Sequence, residues 1–239
     1  MSVYSYDGQQ KALIYDYSGG VRVVAYDVVG NNILQTTTHT FSILGDSYST
    51  FNGYIDEDNK TWYPNDNNDV KKVEQTWWHL LSKQTGMELK TNESRSGSTI
   101  CYNGWGEGTA DATNTAFIAR MNKLETADYI FVFGGTNDSW IGVEIGEYKY
   151  ADWTEADKET FRPALAYLLD SLVKAHPNSH IVFIMNTELN ANIVASIETV
   201  CGHYNIDLLK LSNISKQGGH PDITGMIAIK DQLCDFLNL

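Results

Sequence analysis

The chain has 239 residues, 42% of them hydrophobic and 20% charged, the balance of a folded globular protein and not of a disordered one. That length suits one large α/β domain with a small appendage, or two small domains. The formal net charge is −13 at pH 7, with no local Lys/Arg cluster to reverse it, which excludes a phosphate backbone as partner. No segment approaches the ~18 apolar residues of a membrane span.

The first forty residues read as a β-rich appendage. Lys11–Tyr17 and Val21–Tyr26 are β-branched and aromatic runs separated by Ser18-Gly19-Gly20, and Val28-Val29 and Ile33-Leu34 around Gly30-Asn31-Asn32 suggest a second hairpin. Thr36-Thr37-Thr38 then reads as a connector into a main domain from residue 41 onward. The opening MSVYSYDGQQK lacks the basic-then-apolar pattern of a secretory signal. That leaves the compartment open between cytoplasmic and, if a signal has been removed, secreted or periplasmic.

From Phe41 strands and helices alternate. Phe41–Leu44 is a short buried strand meeting the turn Gly45-Asp46-Ser47, and Val70–Thr85 carries Val73, Trp77, Leu80 and Leu81 at helical spacing. Met87–Thr91 is a second strand candidate, and Asp128–Phe133 is a third, ending at Gly134-Gly135. Thr154 is a candidate N-cap with Asp157 three residues on, a weak form of the capping box. Phe161, Leu165, Leu168, Leu169 and Leu172 follow on one helical face, with Pro163 as a place to kink or restart. His180–Met185, Ile193–Val200, Ile206–Leu209 and Thr224–Leu237 complete a strand, helix, strand, helix series. Such alternation implies a parallel sheet with right-handed crossovers, which binds ligands beyond the carboxyl ends of its strands. Polar oddities fall at those ends: Gly45-Asp46-Ser47, Gly134–Asp138 and Asn186-Thr187-Glu188.

Three separated segments carry the chemistry. They are Ile43-Leu-Gly-Asp-Ser47, Phe133-Gly-Gly-Thr-Asn-Asp138, and Gly219-His220-Pro221 before the last helix. Their order and content resemble the SGNH (GDSL-like) hydrolases, over the chain from about Phe41 to its end. The resemblance implies a three-layer α/β/α sandwich on a mostly parallel five-stranded sheet, flavodoxin-like, and an esterase. Ser47 would be the nucleophile and His220 its base, then the acid toward the leaving alcohol. Oxyanion donors would be the Asn137 amide and the backbone N–H groups of Ser47 and Gly97. Each residue has an ordinary reading: a turn serine, an Asn-Asp helix cap, a loop histidine beside a first-turn proline. Their joint occurrence in order is what argues for chemistry.

One position departs from the pattern. The family usually carries Asp three residues before its histidine; here that place is Gln217. Gln217 itself, a backbone carbonyl in a Ser–His dyad, or a carboxylate from elsewhere such as Glu188 would then orient the ring, whereas Asp222 points toward a helix cap. A catalytically dead relative is the remaining reading. Around the site Tyr48, Phe51, Tyr54, Trp62, Tyr63, Trp105 and Trp140 lie among carboxylates and amides. Asp46, Tyr48 and Trp140 are candidates for touching substrate. Aromatic faces beside carboxylates and amides suit sugar rings, so the expected substrate is a small-molecule or glycan ester, an O-acetyl carbohydrate in particular. The rivals are a non-catalytic carbohydrate-binding relative, and a lysophospholipase or thioesterase on the same scaffold. Half of these aromatics could equally be core.

No phosphate loop or zinc spacing occurs, so neither metal nor cofactor is expected. Asp56-x-Asp58 and Asp66–Asp69 complete no twelve-residue calcium loop and read as solvated turns. Cys101, Cys201 and Cys234 are odd in number and read as small thiols, buried or half-buried. Oligomeric state has no signature here.

Overall fold

A computed structural model describes residues 2–6, 10–17, 20–26, 39–105 and 114–239, the first three segments by their backbone. Strands β1 (Ser2–Tyr6), β2 (Gln10–Tyr17) and β3 (Gly20–Tyr26) form an antiparallel three-stranded sheet. The β2–β3 pair follows the expected runs, whereas β1 was not anticipated. The second hairpin over 28–34 and the threonine connector lie outside the described residues.

The main sheet has five strands: β4 (Thr40–Gly45), β5 (Glu88–Ser94), β6 (Tyr129–Phe133), β7 (His180–Met185) and β8 (Asp207–Lys210). Their order is β5-β4-β6-β7-β8 and every pairing is parallel. Side chains alternate across it with the two-residue period of a strand. Ile130, Val132, Ile181 and Phe183 enter one core, and Phe131, Phe133, Val182 and Ile184 enter the other. Both faces are therefore covered, which is why these strands read as unbroken apolar runs.

On one face lie α1 (Trp77–Thr85) and the closing helix. On the other lie the long helices that follow β6 and β7. Further helices among the described residues, in chain order, are α2 (Phe117–Arg120), α3 (Thr136–Ile141), α4 (Phe161–Ala175), α5 (Ala191–Tyr204) and α6 (Ile223–Leu237). Helix α1 starts later than the periodicity from Val70 suggested. A separate 3-10 turn at Val73–Gln75 comes first, and Thr76 then caps the helix by accepting from the His79 N–H. Thr154 caps no long helix either. It exchanges hydrogen bonds with Asp157 around a 3-10 turn, and α4 begins after Thr160. Pro163 sits in the first turn of α4, where no intrahelical N–H is missed, so the helix runs unbroken. All three cysteines are free and buried. Among the described residues no helix is long and apolar enough to cross a membrane.

Strand order β5-β4-β6 reverses direction of winding at β4/β6. The crevice beyond the carboxyl ends there is the switch point at which such sheets bind ligands.

Candidate active site

Strand β4 ends at Gly45, a position where nothing larger fits. A β-carbon there would come within 2.5 Å of Ser94 Oγ and 2.9 Å of Ser49 Cβ. The chain turns at Asp46, whose N–H donates to the Phe133 carbonyl at 3.2 Å and ties the turn to the end of β6. Ser47–Ser49 make one 3-10 turn capped by Asp46 Oδ1, which accepts from the Tyr48 N–H at 3.0 Å. Asp46 is fully buried, and its other carboxylate oxygen has no hydrogen-bond partner among the described residues. Burial pushes its carboxyl up to about 7 against the opposing Tyr48 N–H. Ser47 rides on this turn, 2% exposed.

His220 arrives on a minimal hairpin. Lys216–Gln217 (β9) and His220–Pro221 (β10) pair antiparallel, with Gln217 opposite His220. The two linking residues, Gly218 and Gly219, have φ of 59° and 78°, as a type I′ turn demands at both central positions. Side chains from the segment after Ser47 clamp this hairpin. The Asn68 amide donates to the carbonyls of Gln217, His220 and Pro221 at 3.1, 3.2 and 3.2 Å. Tyr63 and Tyr48 hydroxyls donate to the carbonyls of Pro221 and Gly219, each at 2.7 Å.

The result is a direct contact between the two expected partners: His220 Nε2 lies 2.8 Å from Ser47 Oγ. Nδ1 lies 3.1 Å from the Gly218 carbonyl oxygen. A carbonyl only accepts, so in the neutral ring Nδ1 carries the proton and Nε2 is left to accept from the serine hydroxyl. Burial holds the imidazole down to about 4, with the Gly218 carbonyl opposing and Lys216 adding to the shift. A neutral imidazole against a buried serine hydroxyl can take its proton.

Neither side chain expected to orient the ring touches it. Glu188 is exposed and ion-paired to Lys216 Nζ at 2.7 Å. The Gln217 amide donates to Asp69 at 3.4 Å instead, although the register sets Gln217 opposite His220. Asp222 caps α6, accepting from the Gly225 N–H at 2.8 Å and from Ser215 Oγ at 2.6 Å. Two of the expected substrate contacts also fail: Tyr48 and Asp46 are fully buried, the Tyr48 hydroxyl bonded to the Gly219 carbonyl and Asp46 Oδ1 to the Tyr48 N–H. Trp140, by contrast, is 42% exposed and meets the His220 ring edge-on, centroids 5.7 Å apart.

Asn137 lies in the first turn of α3, held at both ends of its amide. Its Nδ2 donates to the Ser98 carbonyl at 2.9 Å, and its Oδ1 accepts from Trp105 Nε1 at 2.9 Å. One of its two amide hydrogens is left to serve another acceptor. Gly97 has a φ of 80° at the third place of the turn closed by Ser98 N–H to the Arg95 carbonyl, where a type II turn needs positive φ.

Two buried charges brace the loop carrying Gly97. Asp138 accepts from the Ile100 N–H through both oxygens at 3.0 Å, and burial raises its carboxyl to about 6. Arg120, 2% exposed, donates to the Gly45 carbonyl at 3.2 Å, to Ser98 Oγ at 2.9 Å and to the Glu93 carbonyl. It also faces the Glu93 carboxylate at 3.5 Å. One guanidinium thus links the ends of β4 and β5 to the loop on which Asn137 leans.

Sequence reasoning did not foresee Arg120, Asn68 or the packing of Trp62. The Trp62 indole lies flat on His220, centroids 3.7 Å apart and planes 9° from parallel. The Gly218-Gly219 pair was a legible turn signal. Arg120 and Trp62 carry none, since their partners are distant in sequence.

A parallel five-stranded sheet with a serine, its histidine and an asparagine at the switch-point edge defines a hydrolase of the SGNH type. The chain belongs to the GDSL-like lipase/acylhydrolase family, whose pattern matches residues 39–237. It is similar to a candidate GDSL-like lipase from Bacteroides ovatus, at 45% identity and TM-score 0.82 over 85% of this chain and 99% of that one. Its likeness to a candidate GDSL-like lipase from Bacteroides uniformis is comparable: 44% identity and TM-score 0.82 over 85% and 97%. It shares its fold with an acetyl xylan esterase from the rumen bacterium Butyrivibrio proteoclasticus, at 16% identity and TM-score 0.55 over 91% and 66%. None of the curated proteins matches the chain.

Proposed function

We propose that this protein is a carboxylic ester hydrolase that works through an acyl-enzyme on Ser47. The observation that carries the reading is the 2.8 Å contact between His220 Nε2 and Ser47 Oγ. Ser47 Oγ attacks the ester carbonyl carbon while its proton passes to Nε2. The tetrahedral oxyanion is met by the free Asn137 N–H and the backbone N–H groups of Ser47 and Gly97. Its collapse expels the alcohol, which takes the proton from Nε2. A water deprotonated by the same nitrogen then releases the acid and restores Ser47. The Gly218 carbonyl holds the ring in the tautomer this needs, so the machinery is a Ser–His dyad oriented by backbone.

The preferred substrate is an O-acetyl group on a carbohydrate. Two exposed indoles neighbour these residues. Trp105, 48% exposed, is hydrogen-bonded to Asn137, and Trp140, 42% exposed, packs on His220. Flat apolar faces beside hydrogen-bonding groups match the C–H faces and hydroxyl edges of a pyranose.

Rates on p-nitrophenyl acetate, butyrate and octanoate, alongside acetate release from acetylated oligosaccharides, test this. Preference for acetate together with sugar-borne acetate release is the expected result. Preference for octanoate would move the reading to a long-chain acylhydrolase. Sugar binding with no turnover of any ester would leave a non-catalytic binding protein.

A further inference from the structure

We propose that Trp62 takes over for His220 the electrostatic part of what a triad carboxylate supplies, holding the imidazole plane and stabilising the imidazolium through its π face. The inference rests on the Ser–His reading above. An acid partner does two things for a catalytic histidine: it selects tautomer and orientation, and it stabilises the cation that forms when the serine proton arrives. The Gly218 carbonyl at 3.1 Å performs the first, but it carries only a partial charge.

The surroundings of the ring show what is left for the second. Lys216 is the nearest charged residue on the hairpin, a cation that disfavours imidazolium; its ammonium is engaged by Thr187 at 2.9 Å and Glu188 at 2.7 Å. Tyr48 and Tyr63 face the ring from the segment after Ser47, with their hydroxyls donated to backbone carbonyls. Asp69 accepts from the Ile223 N–H at 2.9 Å, and Asp222 is committed to its helix cap. Asp46 lies buried under the serine turn, bonded to the Tyr48 N–H. Among the described residues no carboxylate is hydrogen-bonded or ion-paired to His220.

Trp62 is the group left. Its indole covers one face of the imidazole at 3.7 Å with planes 9° apart. Tyr48, Trp140 and Tyr63 approach at steeper angles of 55°, 72° and 85°. An aromatic face is negative, a cation over it within about 6 Å is attracted, and indole is the strongest of the three natural rings. The ring is itself braced. The Trp62 backbone N–H donates to Thr50 Oγ1 at 2.9 Å, fixing the chain at that residue, and the Tyr63 ring packs edge-on against the indole, centroids 4.6 Å apart. Trp62 therefore acts through His220, as a positioning residue, and its face toward the imidazole is not available to a sugar.

The test compares Trp62→Phe, which keeps a π face, with Trp62→Leu, which fills the space without one. Trp62→Phe should keep kcat within about threefold, while Trp62→Leu loses about tenfold in kcat with KM within about twofold. The protonated fraction of His220 near pH 4.5, read from its Cε1–H resonance, should fall several-fold in Trp62→Leu and much less in Trp62→Phe. A role limited to filling space would move neither the resonance nor the Phe-against-Leu difference, and equal behaviour of the two variants would overturn the proposal. The resonance is measured without turnover. An inactive wild type would defeat the hydrolase reading and leave this titration to decide the role of Trp62.

Discussion

The carbonyl oxygen of Gly218 lies 3.1 Å from Nδ1 of His220, on the nitrogen that an aspartate three residues upstream would otherwise serve. A two-glycine turn makes this possible, because only residues at ease with positive φ let the hairpin fold its own carbonyl back onto the ring. Glu188→Gln and Gln217→Ala should therefore each leave kcat within about twofold. Steady-state kinetics on an activated ester would show it, and a loss of about 10²-fold or more in either variant would mean that the carboxylate or amide does reach the imidazole.

With burial holding His220 down to about 4 from its ordinary 6.5, the ring is neutral across the usual working range. A general base must be neutral, so activity is present above the depressed value and lost as pH falls through it. The acid limb of kcat/KM should turn over near pH 4 to 5. A limb at 6.5 or higher would show that an anion compensates the burial.

On the proposed mechanism Asn137→Ala should lower kcat by about 10²–10³-fold with a smaller change in KM, because its second amide N–H would meet charge that develops only during reaction. Equal losses in substrate binding and in turnover would instead assign it to holding the Ser98 loop.

Asp46 is buried with its carboxyl raised from 3.8 to about 7. The folded state keeps a proton that the unfolded chain has released, so this contribution to stability is full below about pH 4 and lost as pH rises through 7. Asp46→Asn keeps an acceptor for the Tyr48 N–H without the titration. The melting-temperature difference, variant minus wild type, should grow from pH 5 to pH 8. A constant difference would place the titration elsewhere.

Arg120 and Glu93 are 2% and 3% exposed in their side chains. Arg120→Met leaves a buried carboxylate without its partner and should cost about 3–5 kcal/mol in denaturant unfolding, partly recovered by adding Glu93→Gln. A cost under about 1 kcal/mol would mean that the pair is not what braces β4 and β5.

Much of this was legible from residue order alone. Strands β4, β6 and β7 announced themselves as apolar runs because the middle of a doubly covered parallel sheet buries both faces of each strand, whereas the edge strands β5 and β8 keep exposed polar residues. Ser47 and Asn137 stood out because they follow strands β4 and β6, and His220 because it precedes the last helix. Local signals misled where the answer was not local. Thr154 and Asp157 have the spacing of a cap, yet they close a 3-10 turn ahead of the helix. Tyr48 reads as a candidate substrate contact, but its side chain is buried and its hydroxyl clamps the Gly219 carbonyl. Trp62 reads as a sugar platform, and the structure turns one face of it onto His220. Arg120 meets Gly45, Glu93 and Ser98 across long separations that no periodicity encodes.

The central claim is that Ser47 is the nucleophile, and the most direct measurement is hydrolysis of p-nitrophenyl acetate by wild type and Ser47→Ala with parallel fluorophosphonate labelling. The account predicts turnover by the wild type that is lost in the variant, and a single phosphonylated site at Ser47 by peptide mass spectrometry. Undiminished turnover in Ser47→Ala, or label carried by another residue, would contradict it.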